Sequence, residues 1–182
     1  MSNKLQQDLN TRLLAELVKG TPSLTTVKVL LEEGACANTI SKHQENLLMI
    51  SSKIGRTDIV QTLIDKGANV NFTNGDGWTS LMFAAQSGHI DTMKTLIAHD
   101  AHVDAQTRHG STALIIATIN DKTGSVRELL NAGAKDLKDT NHRTAFTIAS
   151  TFGNNAILNI LPEPQPKSDR PQALQAEEFA LA

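Results

Sequence analysis

The chain predicts an all-α solenoid of about five helix-turn-helix units, and two observations predict it. The turn pairs Gly34-Ala35, Gly67-Ala68, Asp100-Ala101 and Gly133-Ala134 recur every 33 residues. Three residues before each pair's Ala-side turn stand Leu30-Leu31, Leu63-Ile64, Leu96-Ile97 and Leu129-Leu130, and Gly77-Trp78-Thr79-Ser80-Leu81 returns as Gly110-Ser111-Thr112-Ala113-Leu114. A fixed period of this length marks stacked units, each too small to bury its apolar face alone. It turns the question of function from catalysis towards recognition.

Each unit reads as helix, turn, longer helix and extended finger. In the third, Thr79 precedes Leu81, Phe83, Ala84 and Ala85 and is placed to cap the first helix. Gly88 closes that helix, and Ile90, Met93, Leu96 and Ile97 line the inner side of the second. The fingers carry turn chemistry at Asn74-Gly75-Asp76-Gly77, Arg108-His109-Gly110 and Thr140-Asn141-His142. Between Thr112 and Thr144 the interval is 32, so the last finger lacks one residue. Cys36, the single cysteine, rules out an internal disulfide and reads as a small buried filler in a reducing compartment.

These residues resemble the ankyrin repeat. The third unit, GDGWTSLMFAAQSGHIDTMKTLIAHDAHVD, follows that pattern from Gly75 to Asp104, and SSKIGRTDIVQTLIDKGANVN follows it from Ser51 to Asn71. GSTALIIA, VRELLNAGA and Thr144-Ala145-Phe146 continue it, and Val27 to Ala35 begins it. The resemblance implies an ankyrin-repeat solenoid with β-hairpin fingers. It divides residues 1–161 into units of approximately 5–37, 38–73, 74–106, 107–138 and 139–161, leaving 162–182 as a Pro-rich linker and tail. The family's motif histidine is replaced by Met49, Met82, Ile115 and Thr147, and its proline by Leu47, Ser80, Ala113 and Ala145. The first change shifts inter-unit cohesion towards van der Waals packing. The second removes a residue suited to the first helical turn.

Composition narrows the partners. The whole chain is 40% apolar and 20% charged with a net charge of −2, while residues 1–161 hold 15 basic and 15 acidic side chains. With no basic excess, a nucleic-acid partner is disfavoured. No apolar run has signal-peptide or membrane-spanning length. The reading is a cytoplasmic or nuclear monomer that, as the resemblance implies, binds another protein, with neither nucleic acid nor membrane as partner.

No motif for catalysis is present: Gly-x-Ser-x-Gly, a phosphate-binding glycine loop and His-Glu-x-x-His are all missing. The chain is read as non-enzymatic, with no cofactor and no metal. His43, Asp76, His109 and His142 fall in one row of finger tips by the 33-residue count. Successive units lie on the order of 10 Å apart, a helix diameter, whereas zinc ligands converge within about 2 Å of one ion. The row is read as a recognition stripe.

In ankyrin proteins the fingers and the exposed faces of the first helices form a concave wall that grips partners. The resemblance carries that role to Lys42, His43 and Glu45 in the second unit and to Asp76, Trp78 and Gln86 in the third. It extends to Arg108, His109, Ser111, Ile119 and Asn120 in the fourth and to Asn141, Arg143, Thr151 and Phe152 in the fifth. Trp78 has two readings, an exposed contact residue or finger packing, and the first is preferred because Trp and Arg are enriched at binding hot spots. Asn71, in Gly-Ala-Asn-Val-Asn, resembles the hydroxylated asparagine of many animal-cell ankyrin arrays. Its plainer role is to stabilise the finger turn.

The function read from this is a protein-binding adaptor, with a regulatory or inhibitory subunit of an enzyme or transcription-factor complex as the alternative. The tail adds a sharper version. QALQAEEFALA, with Glu177-Glu178, Phe179 and Leu181, resembles the C-terminal export signals of bacterial type IV secreted (Legionella-like) ankyrin effectors, which would act on host proteins. The other reading of the same residues is a cap, with Leu174, Phe179 and Leu181 folded over the last unit.

Overall fold

Apolar positions spaced for short helices and punctuated by glycine produce ten helices among residues 3–162, which the computed structural model of the chain describes. They are α1 Asn3–Val18, α2 Leu24–Glu32, α3 Leu47–Lys53, α4 Thr57–Asp65 and α5 Ser80–Ser87, followed by α6 Ile90–Ala98, α7 Ala113–Ile119, α8 Thr123–Asn131, α9 Ala145–Thr151 and α10 Asn155–Leu158. Each odd-numbered helix packs on the even-numbered one after it, and like helices pack on like from pair to pair: α3 on α5, α5 on α7 and α7 on α9 in one row, α4 on α6 and α6 on α8 in the other. The result is a two-row helical solenoid.

The rows differ in burial because they differ in neighbours. In the first row Leu47–Ser52, Leu81–Ala85 and Ala113–Thr118 are buried almost without interruption, with helices on both sides and a second-row helix behind. The second-row helices are amphipathic, burying Ile59, Val60 and Leu63, then Met93 and Leu96, then Val126 and Leu129. Such isolated seven- to nine-residue helices are marginal in water, so packing between neighbours holds them. Thr79 caps α5 through its side-chain oxygen, as the sequence predicts, and Thr112, Thr144 and Asn46 do the same for α7, α9 and α3.

The fingers differ from the hairpin form that the resemblance implies. Among the described residues no strand is present, only an isolated antiparallel bridge between Ile40 and Asn46. Each finger is a five-residue turn whose first residue donates its N–H to the fifth residue's carbonyl and turns its side-chain oxygen back onto the turn's own N–H groups. Asn74 Oδ1 accepts from the N–H groups of Asp76 and Trp78, and Asp139 Oδ1 from those of Asn141 and Arg143. Ser41 Oγ accepts likewise from His43 and Glu45, and Thr107 Oγ1 from Ser111 alone. With those donors satisfied locally, no ladder extends.

Successive units are joined by a repeated side-chain staple. Asn38 Nδ2 donates to Gly67 O at 3.0 Å while its Oδ1 accepts from Asn69 N at 2.8 Å. One unit on, Asn71 repeats this with Asp100 O at 2.9 Å and His102 N at 2.8 Å. At the first turn Gln6 donates to Gly34 O and Asn10 accepts from Cys36 N, so two α1 side chains do the work of one asparagine. At the last, Asp104 accepts from Lys135 N at 2.9 Å but, as a carboxylate, has no donor for the carbonyl opposite. Polar bonds thus still link the units where the motif histidine is lost, and Met49, Met82 and Ile115 occupy its place fully buried. Cys36 is exposed, not the buried filler expected, because Ala35 and Ala37 on either side take the inward positions.

Asn71→Ala removes both staple bonds, and urea unfolding is expected to record a loss of about 1–3 kcal/mol. Asp104→Asn supplies the missing donor towards Gly133 and is expected to add about 0.5–1.5 kcal/mol. Equal stability of both variants and the parent would show that the staple contributes nothing net.

Candidate functional site: finger tips and exposed inner-helix ends

The finger turns place their side chains in register through backbone geometry. The fourth residue of each turn has positive φ: Gln44 at 60°, Gly77 at 80°, Gly110 at 72° and His142 at 60°. At Gly77 and Gly110 the glycine is required twice over, since a Cβ there would meet the Cα of Thr107 at 3.0 Å and of Asp139 at 2.9 Å. This close approach lets fingers bond directly, Arg108 N to Asp76 O at 2.9 Å and Thr140 N to His109 O at 3.0 Å.

The same register corrects the histidine row. Because the last turn runs 32 residues after its predecessor, Asn141 is the partner in position of His109, and His142 takes the left-handed place of Gly110. The tip row is therefore His43, Asp76, His109 and Asn141. A bare 33-residue count carries across the deletion and shifts His142 by one. Among the described residues no group of three or more His, Cys, Asp or Glu side chains is arranged to hold a metal ion, and no helix there is long and apolar enough to cross a membrane.

Two concavities gather about half of the sequence-predicted residues. The first, about 390 Å³, brings Lys42 and His43 together with Asp76 and Arg108, side chains from three successive fingers. It opens where the finger carrying Gln44 meets the next through the Gln44 side chain against Gly75. Lys42, His43, Asp76, Arg108 and His109 are all exposed. The second concavity, about 220 Å³, is lined by Ile119, Arg143, Thr147, Ile148, Thr151 and Phe152. Here Ile119 and Phe152 stay 46% and 70% exposed, an apolar pair at the ends of adjacent first-row helices. Glu45, Gln86 and Ser111 are half-buried and lie outside both concavities, as Asn141 does.

Trp78 and Arg143 turn out to have structural duties. Trp78 is half-buried against the core, its ring centroid 5.0 Å from that of Phe83, and Lys53 Nζ stands 5.6 Å from the Phe83 ring. Phe83 offers an aromatic partner that the short tip residues cannot, so the indole leans inward and is not the exposed contact expected. Arg143 keeps an exposed side chain but clamps Asp139, with Nε and Nη2 at 2.9 and 2.8 Å from the carboxylate. Burial pushes the Asp139 carboxyl up. Hydrogen bonds from the backbone N–H and side chain of Arg143 and from the N–H of Asn141 outweigh that and hold it below the ordinary carboxylate value. Gln44 and the packing of Trp78 and Lys53 around Phe83 are the additions that the structure makes, and the latter depends on side-chain direction.

A depressed folded pKa contributes stability that is complete above the unfolded value, about 3.9 for Asp, and is lost as pH falls through the lower folded value. Asp139→Asn is therefore expected to be less stable than the parent at pH 7 and to lose less on acidification from about pH 5 to 2. Parallel pH–stability curves for the two proteins would overturn this.

Comparison with known proteins bears on the whole arrangement. None of the curated proteins compared matches the chain. The family model described as Ankyrin repeats (3 copies) matches residues 14–107, just over half of the chain. It spans α2 to α6 with the finger turns of residues 41–45 and 74–78, two of the three that build the polar groove, and ends just before Arg108 of the third. The chain belongs to the ankyrin repeat family, whose repeats are in general protein-interaction modules.

Proposed function

We propose that this protein is a non-catalytic, monomeric adaptor that seats a partner protein along its finger tips and the exposed ends of its first-row helices. Residues 1–161 act in this reading as one array of five units, with 162–182 as a separate tail. The observation that carries it is the convergence of Lys42, His43, Asp76 and Arg108 from three fingers into one groove. The side chains of these four form no hydrogen bond or ion pair among the described residues; His43 and Asp76 use only their backbone N–H groups. Polar side chains held in register but unused by the fold are available to a partner. Ile119 and Phe152 add apolar contact area farther along the array, and such area at the centre of an interface contributes most of the affinity.

The test is affinity capture of partners by the parent and by a Lys42→Ala, Arg108→Ala variant. Both sites are exposed, so stability is expected to stay within about 0.5 kcal/mol of the parent. Loss of a hot-spot side chain costs at least about 2 kcal/mol, roughly 30-fold in Kd, so specific prey should disappear. Trp78→Ala serves as the contrast. It forfeits at least the ~0.5–1.5 kcal/mol of an aromatic pair, and its effect on binding is read only after its melting curve. Prey retained in full by the double variant would move the interface off the fingers. Several substoichiometric prey would mark an adaptor, and one stoichiometric partner a regulatory subunit.

A further inference from the structure

The concavity between α7 and α9 is apolar, small and edged by one cation. Its volume of about 220 Å³ is below the ~300–1,000 Å³ of sites for drug-sized molecules and fits an aromatic or leucine side chain. Ile119 and Phe152 are the pair of exposed large apolar residues that share a concavity among the described residues; Leu5, Val18, Val29 and Ile40 are exposed elsewhere. Arg143 lines the same concavity. Its clamp on Asp139 uses Nε and Nη2, and its side chain is still 51% exposed.

We infer that the occupant is the chain's own segment 172–182, with Phe179 in the Ile119–Phe152 concavity and Glu177-Glu178 beside Arg143. Three observations support this. The first is charge: residues 1–161 balance 15 basic against 15 acidic groups, whereas 162–182 hold two basic and four acidic, so the net −2 resides in the tail. Within 172–182 the charges are Glu177 and Glu178 alone, directly before Phe179. The second is the tether. Residues 163–182 lie outside the described structure, and the chain leaves it one helix away from the concavity: Leu161 is buried just past α10, and α10 packs on α9, which supplies Thr147, Ile148 and Thr151 to the lining. The third is reach. The 17 residues from Glu163 to Phe179 can span up to about 55 Å extended, several times the ~10 Å of a helix diameter. Pro164, Pro166 and Pro171 favour the extended form. Seated there, the tail covers part of the surface proposed for a partner, and a partner segment combining acidic residues with an aromatic would compete with it.

The experiment uses the full chain. With Cys36→Ser and Ala182→Cys, a single nitroxide is attached at residue 182 of the 15N-labelled protein. Amide signals of Ile119, Thr147, Thr151 and Phe152 are expected to lose most of their intensity relative to the reduced label, while those of α1 keep theirs. Phe179→Ala with Leu181→Ala, which leaves every described residue unchanged, is expected to restore the lost intensity. Intensities at Ile119 and Phe152 equal to the reduced control, or broadening that survives the double substitution, would overturn the assignment. The same holds for broadening that also appears in a mixture of isotope-labelled, unspin-labelled copies with spin-labelled, unenriched ones, which would place a second copy there instead. No partner is present in this measurement, so its failure leaves the proposed partner surface untouched.

Discussion

Every helix pair depends on the next one for both its apolar and its polar completion. Leu63, Met93, Leu96, Val126 and Leu129 reach complete burial only because the second-row helices stand against neighbours of the same kind. The turns that end those helices expose carbonyl and N–H groups; Asn38 and Asn71 satisfy both from the preceding unit, and Asp104 the N–H alone. Packing sets how close the units come, and the staple sets their register. A slip of one unit against its neighbour would uncover leucines and leave turn groups without partners at once, which keeps the array in a single geometry.

That register is what makes the finger tips a surface. Gly77 and Gly110, the positive-φ residues of the two middle turns, lie against the backbone of the next finger, and direct bonds join residues 74–78 to 107–111 to 139–143. Where this contact is replaced by the side chain of Gln44, the fingers part enough to leave the polar groove. Binding chemistry is thus presented by a rigid scaffold at small expense to the core, since Lys42, His43 and Arg108 are exposed and bear no weight in the helical rows.

The tip residues are not equivalent, and their differences follow from what lies beneath them. Asp139 is buried and needs its cation, so Arg143 is partly committed before any partner arrives. Trp78 covers Phe83 and extends the core outwards. Ile119 and Phe152 have nothing above them among the described residues, and their exposure is an unmet demand for apolar contact.

Much of this was legible in the chain itself. Period, caps and apolar spacing are local properties, so the helices at Leu81, Met93 and Leu96, the Thr79 cap and the missing residue of the last finger could be read directly. Exposure of Lys42, His43, Arg108 and His109 followed from their places in the unit. The tertiary structure decided what depends on direction and distance between units. It turned Trp78 inward onto Phe83, set Asn141 instead of His142 in the tip row, kept Cys36 outside, and replaced paired strands by turns whose side chains take the donors. A repeat length fixes which residues correspond, because each unit folds by the same local rules. It cannot say which of two corresponding side chains meets a partner across the gap, because that is set by the neighbour's own substitutions.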